Sequence, residues 1–118
     1  MALQAEMVER SPVRLYLDAA FIEVMAKPFY LLNTSRGAVV DTGALVAGLE
    51  SGKVRGAALD VLEYENMQAD GLGDVPECVH YLQRSSRTVL TPHVAGWTVE
   101  SKYKLAAVLA DKMIEVLK

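Results

Sequence analysis

The spacing of apolar residues changes several times along the chain, and each change marks a predicted element. Up to Leu17 the pattern is weak and the charge mixed, so residues 1–17 read as a tail or the remnant of something larger. Between Ala19 and Met25, Phe21, Ile22 and Met25 recur at helical spacing behind Asp18, a residue type that caps helix N-termini, and Pro28 ends the segment. Phe29-Tyr30-Leu31-Leu32 is a continuous apolar run instead, the pattern of a parallel strand covered on both faces. A second helix is predicted behind Asp41, with Leu45, Val46 and Leu49 on one face and Gly52 as its stop. Ala57-Ala58-Leu59 is the next apolar run and completes a strand–helix–strand unit. Residues 63–86 hold no sustained period and contain Gly71, Gly73 and Pro76, so this stretch is expected to be functional or to hide a short helix. Thr88-Val89-Leu90 is a third strand. Thr98 then caps a final helix, about 28 Å long, with Leu105, Val108, Leu109, Met113 and Val116 in one stripe.

Three parallel strands with helical crossovers define an α/β domain. The expectation is a partial Rossmann-like, doubly wound parallel sheet, the second half of a dinucleotide-binding domain, over residues 18–118. The chain of 118 residues, 52% of them hydrophobic, has room for one core and not for two. Twelve basic against 15 acidic residues give a net charge of −3, which argues against nucleic-acid or anionic-membrane partners. No apolar run approaches the length of a membrane span, and Glu6 and Glu9 stand where an export signal would be apolar. A single cysteine, Cys78, cannot form an internal disulfide, which points to a reducing, cytoplasmic setting.

In open parallel sheets a ligand sits beyond the carboxyl ends of the strands. The first strand ends in Asn33-Thr34-Ser35-Arg36, the second in Asp60 with Glu63 and Glu65 following, and the third in His93. A permanent cation, several acids and an imidazole therefore converge on one edge of the sheet. Each has a plainer reading beside the functional one: a turn ion pair for Arg36, a turn cap for Asp60, a hydrogen-bonded structural role for His93. His80 reads as a surface residue, no second ligand stands at zinc spacing from it, and no metal is expected. Gly71-Leu72-Gly73 begins a dinucleotide fingerprint, but Pro76 occupies the place of the third glycine and no strand precedes it.

Three separated stretches are more specific than topology. Asn33-Thr34-Ser35-Arg36-Gly37-Ala38-Val39-Val40-Asp41, then Ser51-Gly52-Lys53-Val54-Arg55-Gly56-Ala57-Ala58-Leu59-Asp60-Val61, then Thr91-Pro92-His93-Val94-Ala95-Gly96-Trp97-Thr98 resemble the D-isomer-specific 2-hydroxyacid dehydrogenases. The resemblance runs from about Leu15 to the C-terminus. It implies an oxidoreductase that acts on the CH–OH group of a D-2-hydroxy acid, or on the matching 2-oxo acid, with NAD as cofactor. By the same resemblance Arg36 would hold the substrate carboxylate, His93 would be the acid–base group, and Glu65 would pair with His93. Asp60 would bind the nicotinamide end of NAD, with Thr34, Ser35, Val94, Ala95 and Gly96 lining the cofactor, and Glu63 is left as a decoy acid.

The family's glycine-rich loop and most of its substrate domain have no counterpart in this sequence. The expectation is a truncated form, inactive or nearly so by itself. An alternative is a non-enzymatic, dehydrogenase-derived module that binds a partner or forms homo-oligomers through the final helix or a sheet edge.

Overall fold

A computed structural model describes residues 2–3, 16–64 and 74–118, the first two by their backbone alone. In chain order the elements are β1 (Ala2–Leu3), α1 (Ala19–Val24), β2 (Phe29–Asn33), α2 (Thr42–Ser51), β3 (Val54–Leu59), α3 (Glu77–Arg84), β4 (Thr88–Leu90) and α4 (Val99–Leu117). A short 3-10 turn, Gly37–Val39, stands between β2 and α2.

Local chemistry sets the helix ends. Asp18 accepts the Phe21 amide at 2.8 Å and Asp41 accepts the Ala44 amide at 2.9 Å, each relieving a donor that its helix leaves unpaired. Thr98 does the same for Ser101 at 3.0 Å. Gly52 closes α2 at φ +80°, a conformation that side-chain-bearing residues resist.

The strands lie in the order β1-β2-β3-β4 and every pairing is parallel. All three predicted strands are present. A fourth comes from the stretch read as a tail: Ala2 and Leu3 pair with Leu32 and Asn33. The predicted irregular stretch 63–86 contains α3, whose Val79 and Leu82 are buried.

The core lies on one side of the sheet. Leu31, Val54 and Leu59 point there and meet Ile22 of α1, Leu45 and Leu49 of α2 and Leu82 of α3. Leu17, bridged to Val40, is fully buried against them. The opposite side differs from the expectation of strands covered on both faces. Burial alternates along β2, with Tyr30 60% exposed and Leu32 45% exposed, and Val89 of β4 is 61% exposed. The reason is the placement of the helices. The first three share one face, while α4 contributes no buried residue and leaves its apolar stripe in solvent.

Candidate functional site

Asn33 ends β2 with a fully buried amide, and the turn that follows is folded around it. Its Oδ1 accepts the Ser35 amide at 3.1 Å and the Ser35 hydroxyl at 2.9 Å, while Nδ2 donates to the Arg36 carbonyl at 3.0 Å. A buried polar group must find partners, and here the partners are the turn itself. Ser35 is thereby turned inward and buried, whereas Thr34 and Arg36 are exposed. Arg36 Nη1 donates to the Ser35 carbonyl at 2.8 Å, which leaves further guanidinium donors directed elsewhere.

Gly37 follows at a point where no side chain fits. A Cβ there would lie 2.0 Å from the carbonyl oxygen of Leu62. The turn after β2 thus presses directly on the segment after β3.

Asp60 opens that segment and ties three strand ends together. Its amide donates to the Asn33 carbonyl, and its carbonyl accepts the His93 amide, both at 2.9 Å. Its carboxylate accepts the Thr91 hydroxyl at 2.5 Å and the amides of Val94 and Ala95 at 2.9 and 3.0 Å. Burial alone would raise the carboxyl pKa. The bonds from Thr91, Ala95 and Val94, with the nearby His93 imidazole, outweigh it and hold the group below its ordinary value. The charged form of Asp60 is therefore the one that shapes the loop.

His93 sits in that loop at φ +55°, the left-handed region, with its side chain exposed. Among the described non-glycine residues it alone has a positive φ. A backbone held there costs free energy and persists because its surroundings fix it; here the amide bonds to Asp60 and Thr91 do so. Val94 is half-buried and Ala95 and Gly96 are exposed.

Glu63 reaches back to α2, where its Oε2 accepts both the amide and the hydroxyl of Thr42, at 3.2 and 3.1 Å. The phenol of Tyr64 beside it is held above its ordinary pKa by the charge of Glu63, then by burial and by Cys78 and Asp41. Glu65 lies outside the described residues.

The C-terminal edges of β2, β3 and β4 therefore bring the Arg36 turn, the Asp60 segment and the His93 loop into one hydrogen-bonded unit. Two members of this unit were absent from the predicted site. Asn33 carried a signal, an amide that closes an apolar run with Ser two residues on, the pattern of an Asx turn. The sequence places Glu63 at this edge but sets it aside as a decoy acid, since nothing local points to a partner 21 residues away.

A strand-end edge of this kind suits the flat end of a dinucleotide. Thr34, Ala95 and Gly96 are exposed along it, and a Cβ on Gly96 would meet nothing within 4 Å. These exposed positions leave room for a cofactor along the edge. The sequence holds no G-x-G-x-x-G turn to cradle the pyrophosphate.

Comparison with known proteins matches this arrangement to a family. The family described as D-isomer specific 2-hydroxyacid dehydrogenase, NAD binding domain, matches residues 10–95. A glyoxylate reductase of Thermofilum pendens is 43% identical over 94 residues, which is 80% of this chain and 25% of that protein. The NAD-complexed structure of a D-isomer specific 2-hydroxyacid dehydrogenase from Lactobacillus delbrueckii ssp. bulgaricus is similar with a TM-score of 0.67 and 33% identity. That likeness covers 88% of this chain and 33% of the other. A D-lactate dehydrogenase from Treponema pallidum gives a TM-score of 0.66 at 33% identity, over 75% of this chain and 28% of that one. The chain thus spans about a quarter to a third of the relatives it matches. By the match over residues 10–95, the chain belongs to the D-isomer specific 2-hydroxyacid dehydrogenases, through their NAD-binding domain.

Proposed function

We propose that residues 18–118 form the nicotinamide and substrate end of a D-2-hydroxyacid dehydrogenase site that uses NAD. The observation that carries this reading is the Asp60 junction, which fastens the Arg36 turn and the His93 loop to adjacent strand ends. NAD, when bound, supplies the hydride chemistry. The protein's part is to bind, orient and move a proton.

Arg36 would grip the substrate carboxylate with its planar, permanently charged fork and polarise the neighbouring carbonyl. His93 would give a proton to the carbonyl oxygen on reduction and take one from the hydroxyl on oxidation, a task suited to an imidazole. Glu65 would pair with that imidazole. Thr34 and residues 94–96 would line the cofactor. Ser35 and Asp60 would serve it from beneath, since their side chains are spent on holding the two loops.

Without a phosphate-cradling glycine turn in these 118 residues, NAD binding is weak and turnover by this chain alone is slight or nil. Trp97, four residues beyond His93 and 70% exposed, reports on the test. Titration with NADH to millimolar concentration quenches its fluorescence, and Gly96→Val abolishes the quenching. An unchanged emission spectrum would count against the reading. Hydroxyacid-dependent NADH formation that survived Arg36→Ala would remove Arg36 from it.

A second reading follows from α4, which is unburied along its whole length. A helix with so much exposed apolar surface favours self-association, and a homo-oligomer joined through α4 is compatible with either activity or a purely binding role. Light scattering that shows a clean monomer argues against it. A reducing compartment suits Cys78, the single cysteine of the sequence.

A further inference from the structure

Glu63 has no part in the reading above, yet its contacts place it between the proposed groups. Thr42 is the first residue of α2 and is buried, so its amide is one of the donors a helix start leaves unpaired. Asp41, next to it in sequence, serves the Ala44 amide instead. The Thr42 amide and hydroxyl both go to Glu63 Oε2. A cap taken from 21 residues away does what a local cap does not: it fastens the segment after β3 to the start of α2. One residue earlier in that segment, the Leu62 carbonyl meets Gly37, the neighbour of Arg36. Two residues before that, Asp60 holds the His93 loop by its carboxylate and carbonyl.

We propose that Glu63 is a positioning residue, a clamp that fixes residues 60–63 between the Arg36 turn and the His93 loop and so sets one against the other. The inference rests on the reading of Arg36 and His93 as the carboxylate-binding and proton-moving groups. The clamp needs an oxygen acceptor and reach, and it does not need charge. Glutamine at position 63 therefore preserves it, and alanine does not.

The test is amide hydrogen exchange by NMR on the 118-residue chain, with titration by oxamate, a small carboxylate with an adjacent carbonyl. In Glu63→Ala the amides of Val39, Val94 and Ala95, which bond to Arg36 and Asp60, exchange about tenfold faster, the scale of one lost hydrogen bond. The Ala57 and Ala58 amides of the sheet keep their rates, and Glu63→Gln matches the parent chain throughout. Thr42→Val removes the hydroxyl donor at similar volume and gives an intermediate acceleration at the same three amides. Should Glu63→Ala fail to fold, the comparison of Thr42→Val with Glu63→Gln decides. Acceleration confined to Thr42 and Ala44, or equal damage from Gln and Ala, overturns the clamp. Oxamate affinity falls in Glu63→Ala and vanishes in Arg36→Ala. Oxamate binding that is absent in the parent or unmoved by Arg36→Ala overturns the reading of Arg36, and the exchange rates then judge Glu63 separately.

Discussion

Gly37 and the carbonyl of Leu62 are packed so closely that a methyl group on the glycine would stand 2.0 Å from the oxygen. Backbone meets backbone there, with no flexible side chain to yield. Gly37→Ala must push the Arg36 turn away from the segment after β3. We expect a loss of about 1–3 kcal/mol, the usual scale of forced overpacking. Urea unfolding measures it, and a midpoint within error of the parent would show that the two segments part without cost.

The depressed pKa of Asp60 has a definite consequence for acid stability. A carboxyl whose folded pKa lies below its unfolded value stabilises fully above the unfolded value, near 3.8, and loses that contribution as pH falls through the folded one. Asp60→Asn removes the charge and one acceptor arrangement for Thr91, Val94 and Ala95. Its expected cost near neutral pH is about 2 kcal/mol, typical of bonds to a charged acceptor. The gap between the two proteins narrows below pH 3.8. Urea midpoints collected from pH 2 to 7 check this, and parallel curves would refute it.

At His93 the left-handed backbone sets stability against chemistry. Glycine adopts φ +55° without strain, so His93→Gly should regain about 0.5–1 kcal/mol of backbone cost. Against this stands the loss of the imidazole's attraction to Asp60, the smallest of the influences on that carboxylate. The same change removes the proposed proton-moving group. A higher melting temperature together with lost activity in a longer, active relative carrying the same loop is the expected pairing. A lower melting temperature would mean that the imidazole itself holds the loop.

Substitution on α4 gives the opposite signature. Leu105 and Leu109 are 69% and 61% exposed, so replacing both by Glu should move the unfolding midpoint of the sheet by no more than about 0.5 kcal/mol. Sedimentation then tests association: the doubly substituted chain runs as a monomer at concentrations where the parent self-associates. A large loss of stability would reveal that α4 packs on the core in solution.

What could be read from the sequence was governed by range. Asp18, Asp41, Gly52 and Thr98 were legible as helix ends because each acts within three residues of itself. Arg36, Asp60 and His93 were legible as a set because parallel topology alone brings the ends of neighbouring strands to one edge. The apolar runs did not reveal which face of the sheet would be covered, since Tyr30 and Leu32 look in sequence like Phe29 and Leu31. Eight residues suffice for α3, too few for a period that stands out among Gly71, Gly73 and Pro76. The bonds from Thr91, Val94 and Ala95 into Asp60, 31 to 35 residues off, follow no local pattern at all.

The all-parallel order also dictates when the site can come into being. No two adjacent strands here form a hairpin; Phe29 waits for Val54, and Ala57 for Thr88. Such long closures are slow, and local contacts do not seed them. During synthesis Asp60 leaves the ribosome well before any of the donors that its carboxylate will serve. Until Ala95 emerges, that acid is an ordinary solvated side chain and the His93 loop has nothing to hold its left-handed bend. The edge that Asp60 holds is thus the last part of the described sheet to be assembled, completed only once Ala95 has emerged.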